Sequence, residues 1–364
     1  QTFHIFTDMN DKYIYSIGLM SGTSLDGLDI VYVKFHKKDY SDFEIIHSNT
    51  IKYSEFWEAR LKNSIHLDTE LLSVLDYDYG QYLGNKTKEF ISKNKITSLD
   101  FIASHGHTVL HQPDKGITFQ VGDGQQIYNI TKSSTVSDFR TQDVQLGGQG
   151  APLVPIGDRI LFSEYEACLN LGGFANISYE CLDNRIAFDV CPVNIVMNYY
   201  CKKIGLDFDD KGDIASKGTV HEGLLEDLNS IDYYLKKPPK SLGLEWVCQF
   251  VYPLLDDYNL DVEDVLRTFI EHIAQQISII IHPFNNILFT GGGVYNNFLL
   301  KRIQIHSNTQ IILPLDDIIN YKEALIFSLL GVLKIHDKIN CLSSVTGAKI
   351  NHSSGKIFNQ NISD

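Results

Sequence analysis

The stretch that decides the fold is Ser21-Gly22-Thr23-Ser24-Leu25-Asp26-Gly27, set between two β-rich segments, Tyr13–Leu19 and Ile30–Phe35. Two alternating segments joined by a Gly/Ser/Thr/Asp-rich turn read as a hairpin. Its tip offers backbone N–H groups unencumbered by side chains, together with hydroxyls and a carboxylate. Those are the groups that hold phosphoryl oxygens and a hydrated metal. It is not a Walker loop, because no Gly-Lys-Ser/Thr follows and no helix starts there. From spacing alone, an ordinary glycine-rich turn reads the same way.

Working outward, Phe43–Ile51 is a third strand. Leu71, Leu72, Leu75, Tyr79, Leu83 and Phe90 recur at helical spacing, which predicts a helix over Asp68–Lys95. Short strands are then expected at Phe101–Ser104, Thr118–Val121 and Thr135–Phe139. They end in His105-Gly106-His107-Thr108, Gly122-Asp123-Gly124 and Arg140 respectively. The second half replays this order. Ala167–Leu171 ends in Gly172-Gly173, Ala175–Tyr179 returns, and Arg185–Val190 forms a third strand whose end carries Asp189. Helices near Val193–Lys203 and Val262–His282 follow, then the strand Asn286–Thr290, the run Gly291-Gly292-Gly293 and a helix from Asn296. A strand Gln310–Leu313 and a helix Tyr321–His336 come last.

This echo without sequence identity predicts an α/β protein of two duplicated domains facing each other across a cleft. Domain I is expected over 13–140 with the tail from about 339 to 364, and domain II over 141–338. Gly147-Gly148-Gln149-Gly150 is the expected hinge. Two opposed glycine hairpins make a phosphate clamp. Gly291–Gly293, between a strand and a helix, is where backbone can approach a nucleotide base closely.

Composition narrows the chemistry. The 364 residues carry 45 acidic against 31 basic side chains, a formal charge of −14. That balance argues against a nucleic-acid backbone binder, which needs a concentrated basic face. It leaves nucleotide substrates open, since amides and a divalent metal hold phosphates without net positive charge. The six cysteines are scattered with no C-x-x-C pair, so neither a disulfide scaffold nor a paired-cysteine zinc site is expected. No apolar run approaches the roughly 18–20 residues of a membrane helix, and the first twelve residues lack a leader pattern. A cytoplasmic protein without membrane or nucleic-acid partners is the expectation.

Gly18-Leu-Met-Ser-Gly-Thr-Ser-Leu-Asp-Gly27 resembles the signature of the anhydro-N-acetylmuramic acid kinases, members of the actin/hexokinase/Hsp70-like ATPase superfamily. The resemblance continues through Ser104–Thr108, Gln120–Gly124, Asp138–Arg140, Gly147–Pro155, Asn170–Ile177 and Phe289–Gly293, and ends in Tyr321–Leu325 and Ser344–Ala348. It implies a two-domain actin-like ATPase (ribonuclease H-like) fold with a central ATP cleft, and ATP and Mg2+ as cofactors. The implied reaction moves the γ-phosphoryl of ATP to O6 of 1,6-anhydro-N-acetylmuramic acid while water opens the anhydro bridge at C1. The products are N-acetylmuramate 6-phosphate and ADP, in peptidoglycan recycling. A homodimer is implied as well.

Carried onto this chain, the resemblance makes Asp189 the catalytic base. The family motif usually reads Asp-Thr-Gly-Pro-Gly-Asn, whereas this chain has Asp189-Val190-Cys191-Pro192-Val193-Asn194. The carboxylate, Pro192 and Asn194 remain, and bulkier residues replace a hydroxyl and two glycines. Nucleotide contacts are expected from Gly18, Ser21, Gly22, Thr23, Ser24, Asp26, Gly27, Gly172, Gly173 and Gly291–Gly293. His105, His107, Asp138, Arg140, Asn194 and Glu323 are expected at the sugar.

Several of these residues admit a second reading. Asp26 either orients a water of the magnesium shell or ties its own turn. Arg140 either engages the lactyl carboxylate of the sugar or pairs with Asp138 or Asp143. Glu323 binds substrate or simply occupies a favourable helix start. His105, His107 and His111 form only a weak zinc pattern, and the family often has Gln where His107 stands. Two rival functions stay open: another sugar kinase of the superfamily, in which Asp189 deprotonates an ordinary hydroxyl, or a catalytically silenced sugar- and nucleotide-responsive binding protein.

Overall fold

Buried positions in Tyr13–Ser21 (β1), Leu28–His36 (β2) and Asp39–Ile51 (β3) build one antiparallel meander, and those of Ala167–Leu171 (β7), Phe174–Cys181 (β8) and Asn184–Pro192 (β9) build another. The computed structural model describes residues 12–22 and 24–359. The expectations placed on Thr23 and on the first eleven residues lie outside them. The chain divides into two compact units, Gln1–Leu161 with Tyr321–Asp364, and Phe162–Asn320. These divisions differ from the expected 140/141 and 338/339. Gly147–Gly150 falls inside the first unit rather than at a division, and the helix Asp316–Ile335 changes unit at Tyr321, its one non-helical residue.

In the first unit, β1 also pairs in parallel with Phe101–Gln112 (β4), which pairs in parallel with Thr135–Ser137 (β6). Ile117–Val121 (β5) folds back antiparallel on β4, and Lys356–Phe358 (β12) closes the edge beside β6. Among the described residues the sheet has seven strands in the order β12-β6-β4-β1-β2-β3, with β5 attached to β4. The helix Thr69–Lys93 starts where the Asp68 carboxylate accepts from the Leu71 N–H at 2.9 Å. It presses Leu72, Leu75, Tyr79, Leu83 and Phe90 onto Ile17, Leu19, Ile30 and Ile102.

In the second unit, β7 pairs in parallel with Asn286–Thr290 (β10), which pairs in parallel with Gln310–Ile312 (β11), in the order β11-β10-β7-β8-β9. The helix Val262–Ile281 buries Phe269, Ile270, Ile273 and Ile277 completely. Each such side chain contributes roughly 1.5–3 kcal/mol on leaving water. Both units therefore repeat one plan, a three-stranded meander whose first strand continues into parallel strands joined through helices. That is the ribonuclease H-like arrangement of the actin-like ATPase fold.

Several strands are longer than the sequence suggests, and two of them, β4 and β9, carry expected site residues in the added or bulged part. β4 does not stop at Ser104 but runs through His105–Thr108, with its register against β1 shifting between Leu19 and Ser21. β9 does not stop near Asp189 but continues to Pro192. Its pairing jumps from Asn176↔Asp189 to Ala175↔Cys191, so Val190 is bulged out. Bulges of this kind re-aim neighbouring side chains, and here the neighbour is Asp189.

Candidate active site

In the first unit the β1–β2 hairpin is held by the Leu25 N–H donating to the Gly22 carbonyl at 3.3 Å and by Ser24 Oγ donating to Asp26 Oδ1 at 2.8 Å. One Asp26 oxygen thus ties its own turn, while the residue stays exposed. Ser21 lies at the end of β1, buried, where the Tyr53 hydroxyl donates to its Oγ at 2.6 Å and His107 Nδ1 lies 2.9 Å away. Burial pushes His107 down to about 4, so its ring is neutral. Gly27 is buried against Ile51. Gly18 sits mid-strand under the helix Asp316–Ile335, where a side chain would strike the Ala324 carbonyl. Both glycines are accounted for by packing.

Arg140 follows β6. Its Nε donates to His105 Nε2 at 3.0 Å and its Nη1 to the Gly150 carbonyl at 2.6 Å. Since Nε2 accepts, His105 carries its proton on Nδ1, which lies 2.9 Å from the Gly106 carbonyl. Burial, with the neighbouring guanidinium second, pushes His105 well below its ordinary range. The two histidines serve different partners and do not converge as metal ligands. Asp138 pairs with Lys356 at 2.7 Å, and Asp143 accepts from Gly150 N and Thr346 Oγ1, both at 2.7 Å. Neither expected carboxylate is therefore hydrogen-bonded to Arg140. The charge of Arg140 is felt by Glu323, which is exposed just after the Tyr321 kink of the helix Asp316–Ile335. The dense protein around Glu323 nevertheless pushes its carboxyl up, against the opposing pull of Arg140 and Lys322. Asp29, missed in the sequence, joins this group. Burial raises it to about 6, opposed by a 2.6 Å hydrogen bond from Thr50, with Asp26 and Glu323 adding repulsion.

In the second unit the β7–β8 turn places Gly172 and Gly173 over the start of the helix Asn194–Lys203. Their carbonyls accept from Asn194 N at 3.3 Å and Val193 N at 2.8 Å. Asn194 Nδ2 reaches back to the Leu171 carbonyl at 3.4 Å. Parallel pairing of Thr290 with Asn170 sets Gly291–Gly293 beside this turn. Gly291 adopts φ +83°, and a Cβ there would lie 2.8 Å from the Leu171 carbonyl oxygen. Gly292 faces open space. The expected glycines of this unit thus gather at the carboxyl ends of two adjacent parallel strands, where open α/β sheets receive ligands.

Asp189 is half-buried beside them on the bulged strand. Its N–H donates to the Lys240 carbonyl at 3.2 Å and its carbonyl accepts from the Tyr233 hydroxyl at 2.6 Å. Its Oδ2 accepts from the Leu242 N–H at 2.8 Å. Among the described residues nothing is hydrogen-bonded to Oδ1. Burial raises the carboxyl above its ordinary 3.8, against the smaller effect of the Leu242 N–H. The segment carrying Lys240 and Leu242 was not found in the sequence. Its only trace there is Pro238-Pro239, which forbids regular structure.

Two ribonuclease H-like units carrying glycine-lined strand ends and an oriented aspartate define an actin-like ATPase fold of the kinase class. The family model described as anhydro-N-acetylmuramic acid kinase matches residues 14–360, and the chain belongs to that family. It is 33% identical over 369 residues to an anhydro-N-acetylmuramic acid kinase of Francisella tularensis subsp. novicida, covering 93% of this chain and 97% of the relative. To the protein of that name from Vibrio parahaemolyticus it is 33% identical over 374 residues, covering 97% and 99%. Among solved structures, the activator of the 2-hydroxyisocaproyl-CoA dehydratase from Clostridium difficile aligns with a TM-score of 0.44 at 14% identity, over 87% of this chain and 93% of that one.

Proposed function

We propose that this chain phosphorylates O6 of 1,6-anhydro-N-acetylmuramic acid with ATP while water opens the anhydro bridge, giving N-acetylmuramate 6-phosphate and ADP in cell-wall recycling. Family membership supports the kinase and its substrate. The observation that carries the mechanism is Asp189. One oxygen is fixed by the Leu242 N–H, the other is left to a reactant, and burial lifts its basicity. Such a group takes a proton from water as that water attacks C1. O6 leaves C1 with its electron pair and attacks the γ-phosphorus, so no second base for the sugar hydroxyl is required.

In the first unit Ser21, Gly22 and Ser24 offer hydroxyls and backbone to phosphates; in the second, Gly172 and Gly173 offer backbone to phosphates and Gly291–Gly293 to the base. Arg140, His105 and Glu323 face the sugar. A divalent cation such as magnesium neutralises phosphate charge when bound. Exposed Asp26, with one oxygen committed to Ser24, fits water-mediated binding to it. Among the described residues no helix is long and apolar enough to cross a membrane. The resemblance also supports a homodimer, which sedimentation would test. The reaction is tested with ATP, the anhydro-sugar and oxygen-18 water. Label at C1 of the phosphorylated product is expected, and unlabelled product would establish the ordinary-kinase alternative.

A further inference from the structure

Three donor side chains that the proposed reaction does not use converge in the first unit. Asp143 stands on the short helix Thr141–Gln145, while Cys341 and His352 oppose each other on an isolated antiparallel bridge. All three are buried, and one ligand atom from each lies within 4.8 Å of the other two. Hydrogen-bond accounting defines the imidazole. His352 Nδ1 lies 3.1 Å from the Ile350 carbonyl, which can only accept, so Nδ1 carries the proton. Nε2 then presents its lone pair. That buried atom has no hydrogen-bond partner and sits 3.5 Å from Asp143 Oδ1.

A lone pair facing a carboxylate oxygen calls for positive charge between them. A second ring proton would close the pair to about 2.7–2.9 Å, the length of a charge-assisted hydrogen bond. Two ligands of a tetrahedral zinc, each bonded at about 2.0–2.2 Å, instead stand about 3.4 Å apart. The observed 3.5 Å matches the second geometry. We propose that Asp143, Cys341 and His352 form a binding site for a divalent transition metal of the zinc class, with water completing the shell.

The supporting contacts are those of a metal site. The second imidazole nitrogen is anchored on a carbonyl, and Asp143 is steadied by Thr346 Oγ1 and Gly150 N, both at 2.7 Å. Binding releases the Cys341 proton to solvent. The thiolate and carboxylate then cancel the charge of the dication, so no net charge is buried with it. The role is structural. The metal ties the C-terminal return around residues 341–352 to the helix that begins immediately after Arg140.

The test uses full-length protein with the exposed Cys181 and Cys248 replaced by serine, stripped with chelator and titrated with zinc against a chromophoric chelator, then with cobalt. One zinc per chain and a near-ultraviolet thiolate-to-cobalt band are expected. Cys341→Ser should abolish the band and weaken zinc about 100-fold, an effect at least as large as loss of an outer-shell partner. His352→Asn should weaken zinc similarly while circular dichroism reports an intact fold. If the parent takes up no stoichiometric zinc and shows no cobalt–thiolate band, the proposal fails. It fails equally if both signals persist unchanged in Cys341→Ser and His352→Asn.

Discussion

Arg140 donates through Nε to His105 Nε2 at 3.0 Å, so this guanidinium is aimed by a neutral histidine rather than paired with a carboxylate. Its remaining fork is suited to an incoming anion, and the lactyl carboxylate of the substrate is one. Arg140→Lys keeps the charge and loses the fork. It should raise KM for the anhydro-sugar by about 10–100-fold, the range of a charge-assisted bond, and change KM for ATP far less. Steady-state kinetics with each substrate varied in turn would check this, and equal effects on both would remove Arg140 from the sugar site.

Asp189→Asn keeps an acceptor for the Leu242 N–H and removes the proposed base. Turnover should fall by about 10²–10⁴-fold, the span of general-base catalysis, with the unfolding midpoint little changed. In the parent enzyme the proposed base works only when ionised. Activity should therefore decline as pH falls through a value above the ordinary 3.8, since burial raises this carboxyl. ADP release measured against pH would show that limb, and near-normal turnover by the variant would refute the assignment.

His107 and His272 are buried and held near 4 and near 3 by desolvation. Unfolded, each takes a proton near 6.5, so the unfolded state binds more protons between that value and the folded one. Stability is intact above pH 6.5 and falls below it, by up to about 1.4 kcal/mol per pH unit for each histidine. The His107 contribution levels off below about 4. Urea midpoints between pH 7 and 4 should show this slope, and His107→Gln should reduce it while the His272 share remains. An unchanged slope would mean that His107 titrates normally.

Two glycines should part company. Gly18→Ala drives a methyl into the Ala324 carbonyl and should destabilise by about 1–3 kcal/mol. Gly292→Ala meets no atom within 4 Å and should leave the midpoint alone while raising KM for ATP. Denaturation and kinetics on the pair separate a packing glycine from a ligand-facing one.

Glu271 is 6% exposed and receives Arg302 through two hydrogen bonds of 2.7 and 2.8 Å, with Arg267 at 2.8 Å and His306 alongside. These partners overcome burial and hold its carboxyl near 2. Its contribution is therefore present above pH 4.5 and lost as pH falls through 2. Glu271→Gln strands two arginines and should cost about 3 kcal/mol, read as a lowered urea midpoint at pH 7. A loss below about 0.5 kcal/mol, the scale of an ordinary surface substitution, would reduce the cluster to surface decoration.

Much of this was legible in the chain. The apolar period of Leu72, Leu75, Tyr79 and Leu83 marks its helix, and the two glycine hairpins mark equivalent places in two meanders. Periodicity failed where the strands are locally irregular. The bulge at Val190 and the passage of β4 through His105–Thr108 depend on pairing with strands distant in sequence, which no local pattern encodes. The Leu242 N–H that orients Asp189 is a backbone group and leaves no side-chain signature. The buried trio of Asp143, Cys341 and His352 has no closely spaced ligand pattern in the chain, because its members meet only through the fold.

The first unit is assembled from both ends of the chain, and the second is a single uninterrupted segment between them. A ribosome therefore delivers everything the second unit needs before it delivers β12 and the final helical run that the first one requires. The half of the protein that begins emerging first is the half that must wait longest to become whole.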